Sequence, residues 1–134
     1  MLMTQTAPAK KNCLIVDDSR VVRKVLRRIL EDLGYECDDA DHADGAYDHC
    51  MKTRMPDVIL LDWNMPGEDG LEFLVRLRAT KEGRTPKVLF CTTECTKESM
   101  EQVIAAGADE FVMKPFDGEI IRTKLRLLGL PVAA

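Results

Sequence analysis

Short apolar runs alternate along this chain with longer stretches in which apolar residues recur every three or four positions. The clearest run is Val58 to Leu61, preceded by Pro56 and stopped by Asp62. A run this short between turn residues predicts a strand buried on both faces. Asn12 to Val16 is a second such run, ending in Asp17-Asp18, and Lys87 to Cys91 is a third, ending in Thr92-Thr93-Glu94. Asp109 to Met113 is a fourth, ending in Lys114-Pro115, and the more polar Tyr35 to Ala40 suits an edge strand. Between them, helical spacing predicts a helix after Ser19 with Val22, Val25, Leu26, Ile29, Leu30 and Leu33 inward, stopped by Gly34. Further helices are predicted over Asp44 to Arg54, from Leu71 to about Ala79, after Thr96 as far as Gly107, and after Asp117 until Gly129 and Pro131. The last two place Met100, Val103 and Ile104, and then Ile120, Ile121, Leu125 and Leu128, on their inner faces. Glu82 to Pro86 reads as a loop. Five strands alternating with helices predict an α/β fold with a parallel sheet covered on both faces.

Length and composition narrow the class. A chain of 134 residues has room for one domain and one core, and 46% hydrophobic with 31% charged residues is a soluble globular balance. The net charge of −4 gives no support for wholesale binding to nucleic acid or membrane. No apolar run approaches the roughly 20 residues of a membrane span, and the first eleven residues lack the apolar core of a signal peptide. The expectation is a cytoplasmic protein with a flexible tail over 1–11, a domain over 12–130 and a short tail over 131–134. Five cysteines are then expected to be free thiols, and the Cys91/Cys95 spacing has no second pair with which to build a zinc site. Asp38 to Cys50 does not fit an EF-hand loop, and His42 and His49 make a poor metal pair. The first helix carries Arg20, Arg23, Lys24, Arg27 and Arg28 on its polar face, either as a solvated surface or as a docking face for an acidic partner.

The chemistry lies in what ends each strand. All carboxyl ends of a parallel sheet share one edge, which is where open α/β sheets bind ligands. Asp17, Asp18, Asp62, Thr92 and Lys114 should therefore gather at one mouth. Three crowded carboxylates resist ionising unless a cation relieves them, and an oxygen-rich set suits Mg²⁺. A divalent cation, an ammonium and a hydroxyl together can hold a dianionic phosphoryl group, and one carboxylate can act as its nucleophile.

The ordered set Asp17-Asp18, Asp62, Thr92 and Lys114-Pro115-Phe116, with the run Asp62-Trp63-Asn64-Met65-Pro66, resembles the receiver domain of CheY-type response regulators in two-component systems over about Asn12 to Leu128. The resemblance implies a flavodoxin-like, doubly wound five-stranded sheet in the order 2-1-3-4-5 with five helices. It implies that Asp62 is the phospho-acceptor, supplied by a sensor histidine kinase or a histidine phosphotransfer protein. Asp18, Asp62 and the Asn64 backbone carbonyl would ligate Mg²⁺ directly, and Asp17 largely through water. Lys114 and Thr92 would hold the phosphoryl group, and the Lys114-Pro115 bond would be cis. Thr92 and Phe111 would form the switch; Phe111 stands where such proteins often carry tyrosine, which removes a hydroxyl available to a partner. Asn64 and Glu94 would tune self-dephosphorylation. The expected output is a stand-alone, non-enzymatic switch of protein contacts, of chemotaxis or other two-component type, through the fourth helix, fifth strand and fifth helix, with no DNA binding; a relay or phosphate sink is the variant within it. Two rivals are weaker. An aspartyl phosphohydrolase would want an acid where Asn64 stands. A nucleotide second messenger gripped by Arg122 and Arg126, with Lys124 between them in sequence, would make the chain a ligand-binding adaptor.

Overall fold

The computed structural model describes residues 10–93 and 96–133. It contains β1 (Asn12–Val16), α1 (Arg20–Asp32), β2 (Glu36–Ala40), α2 (Ala43–Asp48), β3 (Val58–Asp62), α3 (Gly70–Arg78), β4 (Lys87–Thr92), α4 (Lys97–Ala106), β5 (Glu110–Met113) and α5 (Gly118–Leu127). The strands form one sheet in the order β2-β1-β3-β4-β5, and every neighbouring pair is parallel. Parallel neighbours need crossovers, and the helices supply them on both faces. Among the described residues no helix is long and apolar enough to cross a membrane.

The period-two alternation of the strands divides the core into two layers. Leu14, Val16, Ile59, Leu61, Val88 and Phe90 pack with Ala46 of α2, Phe73, Leu74 and Leu77 of α3 and Val103 of α4. Cys13, Ile15, Val58, Leu60, Leu89, Cys91 and Val112 face the other way, against Leu26 and Leu30 of α1 and Ile121 and Leu125 of α5. β3 is buried along its whole length because both of its faces are covered. The caps match their residues. Ser19, Thr96 and Asp117 each accept a backbone N–H from the first turn, and Asp69 with Glu72 closes a reciprocal capping box. Gly107 ends α4 in the left-handed region at φ 112°, which suits a residue without Cβ.

The structure departs from the sequence reading in several places. α2 begins at Ala43, where the His42 ring accepts the Gly45 N–H at 3.2 Å, and it runs into a π-helical turn, His49–Thr53, closed by Arg54 N–H on the His49 carbonyl. Arg54 is already extended, and helical backbone is disfavoured at Met55, the residue before Pro56, so the helix does not continue. The Glu82–Arg84 loop forms a 3₁₀ turn. Val25, Ile104 and Ile120, expected inward, are 50%, 47% and 40% exposed. Each lies one residue, about 100° of helix rotation, from the position that meets the sheet, so an apolar residue at helical spacing is not thereby a core residue. Residues 131–133 turn back onto the fold: Ala133 N–H bonds to the Leu33 carbonyl, and the Tyr35 hydroxyl donates to the Pro131 carbonyl at 2.8 Å.

Candidate functional site

Asp17 directly follows β1, with its backbone N–H on the Ala40 carbonyl, and Asp62 is the last residue of β3. Thr92 ends β4, and its carbonyl accepts the Lys114 N–H at 2.8 Å, which holds the start of the β5–α5 connection against it. The topology thus brings the expected residues to one edge. Asp17, Asp62 and Thr92 are buried, and Asp18 is exposed at the rim. The Lys114 ammonium reaches between the two buried acids and donates to Asp62 Oδ1 at 2.9 Å and Asp17 Oδ2 at 3.0 Å. Asp17 Oδ1 accepts the Ser19 N–H at 2.8 Å, so both of its oxygens are engaged. The Lys114-Pro115 bond is cis.

The charges disturb one another. Burial pushes the Asp62 carboxyl above its ordinary range, and the Asp17 and Asp18 carboxylates add to this, against the opposing Lys114 hydrogen bond. Burial alone would pull the Lys114 ammonium down, but its bonds to Asp62 and Asp17 outweigh that and raise it. The mouth is therefore short of positive charge even with the lysine in place. Ligand oxygens of Asp17, Asp18 and Asp62 lie within 4.8 Å of one another, the one such metal-competent cluster among the described residues. Three hard oxygen donors in that span, with unrelieved repulsion, fit a divalent cation such as Mg²⁺.

The β3–α3 loop shapes the floor. Trp63 N–H bonds to the Cys91 carbonyl, its ring meets Phe90 edge-on at 5.4 Å, and its carbonyl accepts the Gly70 N–H at 2.9 Å. A Cβ at Gly70 would run into the Asp62 carbonyl and sit 3.0 Å from Trp63 Cα. The sequence reading placed Gly70 in the loop without seeing that the acceptor's own backbone presses on it; a glycine at the first turn of a helix, eight residues past a strand-end acid, is the signal it offered. Asn64 is exposed on this loop, and Glu94 and Cys95 lie outside the described residues. Phe111 is half-buried in β5, beside Phe90 in register, with the Lys124 ammonium 5.1 Å from its ring centroid.

Other candidates are not brought to this edge. Arg23 donates to the Asp17 carbonyl at 2.8 Å and pairs with Asp39, and Arg27 donates to the Cys37 carbonyl at 2.6 Å. These two arginines bind α1 to the sheet, which leaves less of the basic face for a partner. His42 pairs with Asp41 and His49 with Asp38, separately. Arg122 donates to the Ala133 carbonyl at 3.0 Å, a competing engagement for any nucleotide grip.

Comparison with known proteins agrees with this geometry. The family described as response regulator receiver domain matches residues 13–126. A chemotaxis protein CheY homolog of Campylobacter jejuni is 33% identical over 113 residues, 84% of this chain and 87% of that protein. The phosphate regulon transcriptional regulatory protein PhoB of Pseudomonas aeruginosa is 33% identical over 116 residues, 87% of this chain but 50% of that protein. The solved structure of Vibrio cholerae chemotaxis protein CheY4 superposes with a TM-score of 0.84 at 34% identity, covering 89% of this chain and 98% of that one. With the strand order, the acidic edge and a family match over most of its length, the chain belongs to the response regulator receiver domains and is CheY-like.

Proposed function

We propose that Asp62 accepts a phosphoryl group from a phosphohistidine of a sensor histidine kinase or a histidine phosphotransfer protein, and that the acyl phosphate switches protein–protein contacts. The observation that carries this reading is Lys114, held at 2.9 Å from Asp62 and 3.0 Å from Asp17 at the carboxyl edge of the sheet, with Asp18 and Thr92 beside them. An Asp62 oxygen attacks phosphorus, the P–N bond breaks, and the imidazole leaves with the electron pair. The Lys114 ammonium moves from carboxylate to phosphoryl oxygen, and the Thr92 hydroxyl donates to another.

Asp17, Asp18, Asp62 and the Asn64 backbone carbonyl would hold Mg²⁺. When bound, the ion offsets the charge that crowds the carboxylates and draws phosphoryl oxygens to this mouth. The phosphoryl group adds close to two negative charges, which draw Thr92 inward and free space behind β4 for Phe111. The surface that changes is then α4, β5 and α5, where Ile104, Met113, Ile120 and Leu127 are already exposed. Asn64 and Glu94 set how fast water removes the phosphoryl group. Similarity to CheY proteins over nearly their full length supports output by protein contact.

The test is intact-mass spectrometry after incubation with acetyl phosphate and Mg²⁺. Wild type should gain one labile phosphoryl group, and Asp62→Asn should gain none. An adduct that persists in Asp62→Asn, or wild type that neither gains phosphate nor binds beryllofluoride, would overturn the assignment.

A further inference from the structure

Cys13 and Cys37 are register partners on adjacent parallel strands, β1 and β2. Neighbouring strands lie about 4.8 Å apart, inside the roughly 4.4–6.8 Å between Cα atoms that a disulfide spans. Partners in register point to the same face of the sheet, and the Cys37 thiol sits 3.9 Å from each of the Arg27 and Tyr35 carbonyls, to which it donates. Both are free thiols. Their environments differ. Cys13 is fully buried in the layer under α1 and α5, whereas Cys37 is half-buried on the edge strand, with Arg27 bonded to its own carbonyl.

We propose that Cys13 and Cys37 form a peroxide-oxidisable dithiol, a modification site in which Cys37 is the attacking sulfur and Cys13 the resolving one. The assignment of roles follows from exposure and from charge. The neighbouring Cys13 thiol, with help from the Arg27 guanidinium and against burial, lowers the Cys37 thiol below its ordinary value, while burial raises Cys13 well above its own. Burial also pushes Cys50 to about 11 and Cys91 to about 12, so these two stay protonated and inert. The Cys37 thiolate attacks hydrogen peroxide: an S–O bond forms, the O–O bond breaks, and hydroxide leaves and takes a proton to become water. The Cys13 sulfur then attacks the sulfenic sulfur: the S–S bond forms, the S–O bond breaks, and water leaves with the Cys13 proton. Two electrons pass from the sulfurs to the peroxide. The bridge closes a loop that contains all of α1, so oxidation staples the edge strand to β1, the strand that leads into Asp17.

The experiment uses the full chain, reduced and desalted, treated with hydrogen peroxide under native conditions, alkylated and digested with trypsin without reductant. The expected product has lost two hydrogen atoms and links the peptide 12–20 to the peptide 29–52, with fragment ions placing the bridge on Cys37 and not Cys50; dithiothreitol reverses it. In Cys13→Ala the link is lost and Cys37 carries a sulfenic acid that dimedone traps. The wild-type map decides the matter even if that variant folds poorly. Thiols that stay fully alkylatable, Cys37 driven to sulfinic acid beside an unmodified Cys13, or a bridge joining other cysteines or two chains would each overturn the proposal.

Discussion

Arg78, the last residue of α3, ties three parts of the chain together, and its removal should be costly. Its Nε and Nη2 donate to the Gly107 carbonyl at 3.1 and 2.9 Å, and Nη1 donates to the carbonyls of Gly83 and Pro86 at 2.9 and 2.8 Å. Nη2 also meets Asp109 Oδ2 at 3.0 Å, and that same oxygen accepts the Val88 N–H at 2.8 Å. The side chain is 16% exposed, and burial lowers its pKa against the opposing pull of Asp109, so part of what the bonds gain offsets desolvation. Arg78→Ala strands three backbone carbonyls, each worth about 1 kcal/mol net when bonded to an ordinary donor and more to a charged one. The Asp109 pair adds less than about 1 kcal/mol, because Asp109 is part exposed and keeps Val88. The sum is about 3 kcal/mol, allowing for water that enters the space left. With a urea slope of about 2 kcal/mol per M, the unfolding midpoint should fall by about 1.5 M at unchanged slope. Arg78→Lys keeps the charge but cannot reach all three carbonyls, so it should lose about two-thirds as much. Both variants should still be phosphorylated on Asp62, since the knot lies at the opposite edge of the sheet. A midpoint shift under about 0.5 M for Arg78→Ala would refute the reasoning, because the carbonyls would then be as well satisfied by water.

The site and the termini give three further predictions. Asp62→Asn should unfold at higher urea than wild type in EDTA, since the raised pKa means that the charged carboxylate opposes folding; the folded state holds its proton to higher pH than the unfolded chain, so the advantage is small below the ordinary value of 3.8, grows as pH rises through the raised value, and shrinks when Mg²⁺ is added. Gly70→Ala should cost about 1–3 kcal/mol by chemical denaturation and also slow acetyl-phosphate labelling, because the new Cβ displaces the Asp62 carbonyl; unchanged labelling would show that the loop yields without moving the acceptor. Tyr35→Phe should cost about 1 kcal/mol by losing the bond to Pro131, and an alkaline absorbance titration should lose its tyrosine step at about pH 12, the value to which burial raises this phenol.

Much of the fold was legible because its signals are local. β3 shows itself as four apolar residues between a proline and an acid, and the helices show themselves by caps such as Ser19, Asp117 and the left-handed Gly107. The candidate site was legible for a related reason: once the strands are parallel, their carboxyl ends share an edge, and Asp17, Asp62, Thr92 and Lys114 need no further information to meet. The surfaces were read less well. Apolar spacing put Val25 and Ile120 inside, but the positions that meet the sheet are their neighbours Leu26 and Ile121, with Leu30 and Leu125 a turn on. The arginines of α1 read as one basic face, although Arg23 and Arg27 are drawn back to the sheet.

Pattern and punctuation along the chain therefore determined which segments are strands and helices, that the sheet is parallel, and which edge carries the acids. Tertiary structure alone decided which distant groups come together: Arg78 with Gly83, Pro86 and Gly107, Gly70 with the backbone of Asp62, and Cys13 in register with Cys37. The physical reason is range. Period, capping and turn preference act between residues a few positions apart, whereas close approach, register and hydrogen bonding between remote residues exist only after the chain has packed.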